Sequence, residues 1–115
     1  MRKIAFIAKV CYSALLEYDK TIDFGLQKDW NQSPAWQQED FFRMVNFVLN
    51  NPKCSPDDIH EHWLENKRIE GWKKGKEIDE KEKAHPNLTP FSMIPKDQKR
   101  KYAVLLGIIK EMKDM

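Results

Sequence analysis

The first part of the chain carries apolar residues at every third or fourth position. Ile4, Ile7, Cys11 and Leu15 follow this spacing, and polar residues fill most positions on the opposite side. Such a period places the apolar side chains on one face of an α-helix. The pattern therefore predicts a first helix over about residues 3–18.

A long connection and a second helix are predicted next. Residues 19–33 show no sustained hydrophobic period, and a connection of this length usually has a function or is fixed to the body of the domain. Ser33 followed by Pro34 is a helix-start signal, because a serine hydroxyl can cap free amides and proline suits the first helical position. The helix should end near Asn50, since Pro52 disfavours a helical residue before it.

The same start signal recurs where a third helix is expected. Ser55 is followed by Pro56 and then by the acidic Asp57, in the first turn where the helix dipole favours negative charge. The helix is expected to run to about Ile69 and to stop at Gly71, a residue suited to a left-handed cap.

Residues 72–95 are expected to form an ordered loop, because Gly75 and three prolines interrupt any helical pattern there. Extended residues around positions 88–91 suggest a short β pairing within this loop. A fourth helix follows Lys96, and its apolar face is formed by Tyr102, Leu105, Leu106, Ile109 and Met112.

These elements predict a mainly α fold, with about four helices and short β segments in the loop between the third and the fourth. The length of 115 residues suits one domain over residues 1–115, with a single core. A hydrophobic content of 41% with four Trp and six Phe is typical of a folded chain rather than a disordered one.

Charge and cysteine usage narrow the classes of function. A net charge of +2 is too balanced for a general polyanion binder, so nucleic acid is an unlikely partner and any anion site must be local. No apolar run approaches the length of a membrane span. Cys11 and Cys54 are far apart and form no CxxC motif, which favours free thiols and a cytoplasmic location.

Catalytic and metal motifs are weak throughout the sequence. His60 and His62 are two positions apart, so a helix points them about 200 degrees away from each other and no metal pair results. His60 is better interpreted as a buried histidine with a hydrogen-bond partner. Cys54 precedes a helix start, but an inert thiol is favoured because the sequence supplies no catalytic partner. We expect no catalytic residue, metal or cofactor, and therefore no enzyme.

A segment rich in tryptophan and lysine is the strongest candidate for a binding site. Cationic side chains can bind a phosphate, and nearby aromatic faces can stack a base. A nucleotide site requires both. The alternative is that the tryptophans belong to the core and the lysines cover them. The candidate ligand-binding residues are His60, Trp63, Lys67, Trp72, Lys73, Lys74 and Lys76.

The same segment carries a recognisable pattern. It contains H-x-x-W-x-x-x-K-x-x-x-G-W-x-x-G from His60 to Gly75, followed by K-x-H-P-x-L-x-P-F from Lys83 to Phe91. This order closely resembles the RyR domain, the repeat found in ryanodine receptor calcium-release channels. The resemblance extends over about residues 4–106 and includes the P-A-W-Q motif that starts at Pro34.

The resemblance implies a small, mainly helical domain with short β segments and no enzymatic activity. A lone copy looks like a single-domain prokaryotic or phage member of the family, whose proposed roles include sensing ligands such as nucleotides. The channel members instead imply scaffolding and regulatory contacts. This chain has Lys74 where many members have an aromatic residue, which makes its loop more basic.

Two functions are therefore expected. The first is a non-enzymatic module that binds or senses a small anionic ligand, such as a nucleotide or another phosphorylated molecule. The second is a protein-interaction or scaffold module, with a homodimer as one form. In this second hypothesis Trp30, within the long connection, is the expected interface anchor.

Overall fold

Residues 2–114 form four α-helices, two single-turn 3-10 helices (Trp30–Gln32 and Phe91–Met93) and one short parallel strand pair. The computed structural model describes residues 2–114, so Met1 and Met115, which the predicted domain includes, lie outside the described residues. The fold prediction, a mainly α domain with short strands after the third helix, is confirmed. In chain order the elements are α1 (Arg2–Ile22), α2 (Ala35–Asn50), α3 (Pro56–Ile69), β1 (Lys73–Lys74), β2 (Ala84–His85) and α4 (Lys96–Met112).

The first helix is one turn longer than its periodicity predicts. It continues past Tyr18 to Ile22 and ends where Asp23 adopts a positive φ of 52°. The extra turn contains Asp19, whose buried carboxylate accepts a hydrogen bond from Leu26 N at 2.7 Å. This contact depends on how the chain folds back, so local hydrophobic spacing could not reveal it.

The two serine–proline signals have different outcomes. Ser55 caps α3 as predicted, because its hydroxyl accepts from Asp58 N while the Asp58 carboxylate accepts from Ser55 N. The predicted cap at Ser33 is wrong. Pro34 occupies the cap position of α2, and the Ser33 hydroxyl instead donates to Trp30 O at 2.6 Å.

The loop after α3 is ordered, but its strands are not at the predicted positions 88–91. Gly71 ends α3 with a φ of 91°, the left-handed conformation expected of it. Lys73 then pairs with Ala84, and the amide of Lys73 donates to Lys83 O at 2.8 Å. Gly75 is required beside this pair, since a Cβ there would lie 2.7 Å from that of Ala84.

The main core lies between the helices. Side chains from the buried face of α1 meet those of α2 and α4, and Tyr12 contacts Phe41 edge to face with ring centroids 5.3 Å apart. A second, smaller cluster joins α3 to the following loop through Trp63, Leu64, Trp72 and Leu88, with Trp36 of α2 packed against it. The fold therefore places aromatic and polar groups of all four helices around the space between these clusters.

Candidate functional site

A partly open pocket lies between the four helices and the loop that carries β2. We call it the central pocket. Its volume is about 90 Å³, and its apolar wall includes Leu15, Phe41, Met44 and Leu105. A water molecule occupies about 30 Å³ in the liquid, so this space can hold one chemical group of a ligand or a few waters.

One side of the central pocket is formed by a buried ion pair between the first and last helices. Lys101 Nζ lies 2.9 Å from Asp19 Oδ1 and 3.1 Å from Asp19 Oδ2. Only the contact to Oδ2 has hydrogen-bond geometry, but the ammonium also balances the charge on Oδ1 at this distance. Gly25 allows this arrangement, because a Cβ there would lie 2.3 Å from Asp19 Oδ2.

Amide side chains continue from this ion pair into the central pocket. Gln98 Oε1 accepts from Lys101 Nζ at 3.3 Å and from Asn87 Nδ2 at 3.0 Å. Gln98 and Asn87 are both buried, and both line the pocket. The network joins α1, α4 and the loop after β2.

His85 lies next to these amides and is held in one orientation. Its Nδ1 accepts from the backbone amide of Asn87 at 3.0 Å, and its ring meets the ring of Trp63 edge to face at 5.0 Å. Burial lowers the pKa of His85 to about 3, with the charges of Lys101 and Lys67 acting in the same direction. The imidazole is therefore neutral at physiological pH.

A second buried ion pair borders the central pocket through Asp40, which lines it. Lys67 Nζ lies 2.8 Å from Asp40 Oδ1, while Trp63 Nε1 donates to Asp40 Oδ2 at 2.9 Å. The Lys67 ammonium also lies over the rings of Trp36 and Trp72, 5.0 and 4.8 Å from their centroids. Burial raises the pKa of Asp40, although Lys67 and Trp63 oppose that shift.

Trp36 contributes a donor that no protein group satisfies. Its Nε1 is buried and has no hydrogen-bond partner among the described residues, and its side chain lines the central pocket. Buried N–H groups in folded proteins nearly always have a partner. Trp36 Nε1 is therefore an unsatisfied donor on a residue that lines the central pocket.

His60 has the structural role that its position on the helix predicts. Its Nε2 lies 2.7 Å from Thr89 O, which can only accept, so Nε2 carries the proton and Nδ1 accepts from Tyr102 OH at 2.8 Å. The side chain is fully buried, and burial lowers its pKa. This histidine connects α3 to the loop and to α4, next to the Tyr102 wall of the pocket.

The structure divides the seven predicted ligand-binding residues into two groups. His60, Trp63, Lys67 and Trp72 are buried, and of these only Trp63 lines the central pocket. The other three, Lys73, Lys74 and Lys76, are exposed on the loop around β1.

The four buried residues stabilise the packing around the central pocket, whereas the three exposed lysines are available to a ligand. Lys67 already has Asp40 and Glu70 as anionic partners. Lys74 Nζ donates to Pro86 O at 3.0 Å while remaining exposed. The same loop supplies Ile78 and His85 to the pocket, so the basic segment and the pocket share one loop.

Several pocket residues have no strong signal in the sequence. Asp19, Asn87, Gln98 and Lys101 come together only because α1 and the loop after β2 both contact α4. The segments that contain Asp19 and Asn87 have no hydrophobic period. For a polar residue in such a segment, the sequence pattern does not predict whether the side chain faces the core or the solvent.

Trp30, the predicted interface anchor, is half-buried. Its ring packs edge-on against Tyr12 and Phe42, at centroid distances of 5.3 and 5.5 Å. Among the residues whose burial the structure describes, the large exposed apolar side chains are Phe6, Ile69 and Met93. The protein-interaction role of Trp30 stays a prediction.

Metal and thiol chemistry have little support in residues 2–114. No group of three or more His, Cys, Asp or Glu side chains in this range is arranged to hold a metal. Burial raises the pKa of Cys11 to about 12, and it also raises the pKa of Cys54. Within the same range, no helix combines the length and the apolar character needed to cross a membrane.

Comparison with known proteins identifies the family. The family model described as the RyR domain matches residues 53–112, more than half of the chain. This segment contains α3, both strands and α4, and thus His85, Asn87, Gln98 and Lys101. The resemblance noted earlier in the chain, including the motif at Pro34, lies outside the matched segment. No curated protein and no solved structure gives a significant match. The chain belongs to the RyR domain family.

Proposed function

We propose that this RyR domain is a non-catalytic module that binds a small anionic ligand, with one group of the ligand in the central pocket. The observation that carries the proposal is the buried, unpartnered Nε1 of Trp36, a residue that lines a pocket together with the polar residues His85, Asn87 and Gln98. Binding sites typically combine apolar walls with a few oriented polar groups in this way.

The size of the central pocket limits what it can hold. A volume of about 90 Å³ is too small for a whole nucleotide, so a ligand of that size would extend out of it. Lys73, Lys74 and Lys76 are exposed on the loop that also lines the pocket. We propose that a ring or carbonyl group of the ligand lies inside the central pocket and that its phosphate lies near these lysines.

The charges around the central pocket also support placing the uncharged part of the ligand inside it and the phosphate outside. The two ion pairs, Lys101 with Asp19 and Lys67 with Asp40, leave no formal charge in excess. A net negative group would gain more from the unpaired lysines at the surface, where the lost hydration is also smaller. The anion is therefore assigned to the loop, and the uncharged part of the ligand to the pocket.

Titration calorimetry with uridine 5′-monophosphate, uridine and inorganic phosphate tests this assignment. Lys74→Glu should weaken binding of the nucleotide by about tenfold and leave binding of the nucleoside unchanged, since one ion contact is worth about 1–2 kcal/mol. The matched control is Lys81→Glu, which makes the same charge change at an exposed lysine of the same loop.

Two results would contradict the proposal. One is the absence of heat and of any rise in melting temperature with every probe at millimolar concentration, because a ligand of the native state must stabilise it. The other is an equal loss of nucleotide affinity in Lys74→Glu and Lys81→Glu, which would indicate only a general charge effect.

A further inference from the structure

Asn87 donates hydrogen bonds to two neighbours in the central pocket. Its backbone N–H donates to His85 Nδ1, and its side-chain Nδ2 donates to Gln98 Oε1, both at 3.0 Å. In each neighbour the bonded atom is therefore an acceptor. The remaining polar atom of each neighbour must then be a donor.

The orientation of Gln98 follows from a second donor. Lys101 Nζ approaches the same Gln98 atom at 3.3 Å, and an ammonium group can only donate. That atom is therefore Oε1, and the amide NH2 is on the other branch of the side chain. This NH2 makes no hydrogen bond within residues 2–114 and keeps some accessible surface, although Gln98 as a whole is only 4% exposed.

The tautomer of His85 follows by the same reasoning. A backbone amide can only donate, so Nδ1 is unprotonated and Nε2 carries the hydrogen of the neutral ring. In the described part of the chain, Nε2–H also makes no hydrogen bond and keeps some accessible surface, while His85 as a whole is only 9% exposed. Two residues that are more than nine-tenths buried thus each keep an N–H group free, and both line the central pocket.

Most acceptors nearby are already engaged, and the exception is Asp19 Oδ1, which makes no hydrogen bond but lies 2.9 Å from Lys101 Nζ. Asp40 accepts from Lys67 and Trp63, and Asp19 accepts from Leu26 N and Lys101. The unused hydrogen-bonding capacity is mainly that of donors, with Trp36 Nε1 as a third. A cation or an apolar group would leave these donors unsatisfied, whereas an oxygen-bearing group would satisfy them.

We propose that Gln98 Nε2 and His85 Nε2 form a donor pair that binds an acceptor oxygen of the ligand, with Asn87 as the positioning residue for both. This inference rests on the proposed function and deepens it, because it assigns the chemistry of the group that enters the central pocket. The assignment of the anion to the loop makes a neutral carbonyl oxygen the expected occupant, and uridine is its probe. A phosphate oxygen shares the acceptor chemistry, and inorganic phosphate tests whether an anion enters the pocket instead.

The test is titration calorimetry of the full chain with these two probes. Gln98→Glu replaces the NH2 donor with an oxygen and keeps the size and the Oε1 acceptor, so the affinity for the bound probe should fall by at least about tenfold. Gln27→Glu, the same change at an exposed position, should leave the affinity unchanged.

A spectroscopic measurement on the unmodified chain covers the case in which Gln98→Glu does not fold. In ¹⁵N spectra, the Gln98 side-chain NH2 and the His85 Nε2–H signals should both move on titration with the probe that binds. In the Asn87→Asp variant the backbone donor to His85 remains while the donor to Gln98 is lost. The Gln98 signals should therefore change in this variant, and the His85 tautomer should not.

The outcomes separate the two proposals. Binding of uridine or phosphate that Gln98→Glu weakens and that shifts both signals supports the donor pair. If a probe binds with its usual affinity to Gln98→Glu, or binds without moving either signal, the donor pair is overturned while the binding function stands. If no probe binds the unmodified chain, the proposed function itself fails, and the donor pair fails with it.

Discussion

Lys67 of α3 and Asp40 of α2 form an ion pair inside the protein, with 2.8 Å between Nζ and Oδ1. Their side chains are 1% and 7% exposed, and two tryptophan rings cover the ammonium. Lys67, which the sequence predicts as a ligand-binding residue, is thus already paired with the Asp40 carboxylate of the same chain. The pair connects the family-matched half of the protein to the half before it.

Removing the Lys67 charge should strongly destabilise the fold. Lys67→Met leaves Asp40 buried without its cation, and breaking a buried pair in this way costs about 3–5 kcal/mol. Urea unfolding followed by tryptophan fluorescence measures this change. The double variant Lys67→Met with Asp40→Asn should recover part of the loss, since the uncompensated charge is then absent. If the double variant is less stable than the single, the ion pair is not the cause.

Because His85 is neutral in the folded protein, we expect the free energy of unfolding to decrease on mild acidification. An unfolded histidine titrates near 6.5, whereas burial lowers the pKa of His85 in the folded state to about 3. As the pH falls below 6.5, the unfolded chain takes up a proton that the folded chain excludes, so stability decreases. For one fully excluded proton the slope is roughly 1.4 kcal/mol per pH unit.

The variant His85→Phe isolates this contribution. His60 has a lowered pKa and adds a slope of the same sign, whereas the raised pKa of Asp40 adds one of opposite sign. Free energies of unfolding at pH 7, 6 and 5 should therefore be compared between the unmodified protein and His85→Phe. The variant should have the shallower dependence on pH, and equal slopes would show that His85 is not the excluded group.

Two glycines should respond to alanine in opposite ways. Gly71→Ala forces a side chain onto a φ of 91° and should destabilise the protein by about 1–2 kcal/mol. Gly107→Ala places a good helix former at an exposed site of α4 with nothing within 4 Å, and should stabilise by about 0.5–1 kcal/mol. Thermal unfolding of both variants checks the signs. A stabilised Gly71→Ala would mean that α3 does not end in a left-handed cap.

Both thiols should react slowly in the folded state. Burial raises the pKa of Cys11 to about 12, and burial together with the charge of Asp58 raises that of Cys54. Since the thiolate is the reactive form, a disulfide reagent at pH 8 should label both quickly only after unfolding. Immediate labelling of one thiol in the native protein would revive the interpretation of Cys54 as a reactive residue.

The sequence predicts the helices better than it predicts the site, and the reason is physical. Apolar spacing and caps such as Ser55 are local signals, so helix type and most helix ends can be read from them. The central pocket instead depends on contacts between residues far apart in the chain, such as Lys101 with Asp19. The sequence gives no indication that a polar residue such as Gln98 lies inside.

The tryptophan and lysine segment illustrates the same limit. Spacing places Trp63 and Lys67 on one face of α3, but it does not say whether that face meets solvent or the core. The answer depends on Asp40, which lies in α2 and compensates the buried ammonium. For this reason the core alternative for Trp63 and Trp72 agrees with the structure, while Lys73, Lys74 and Lys76 remain exposed.

The packing of α1 against α4 has a consequence for how the chain folds during synthesis. The first helix leaves the ribosome early, yet its Asp19 and Tyr18 find their partners only when Lys101 and Asp97 of the last helix emerge. Until then α1 has an uncovered apolar face and an unpaired carboxylate that later becomes buried. The domain should therefore complete its folding only after α4 has left the ribosome, and a nascent chain stalled before α4 should remain sensitive to proteases.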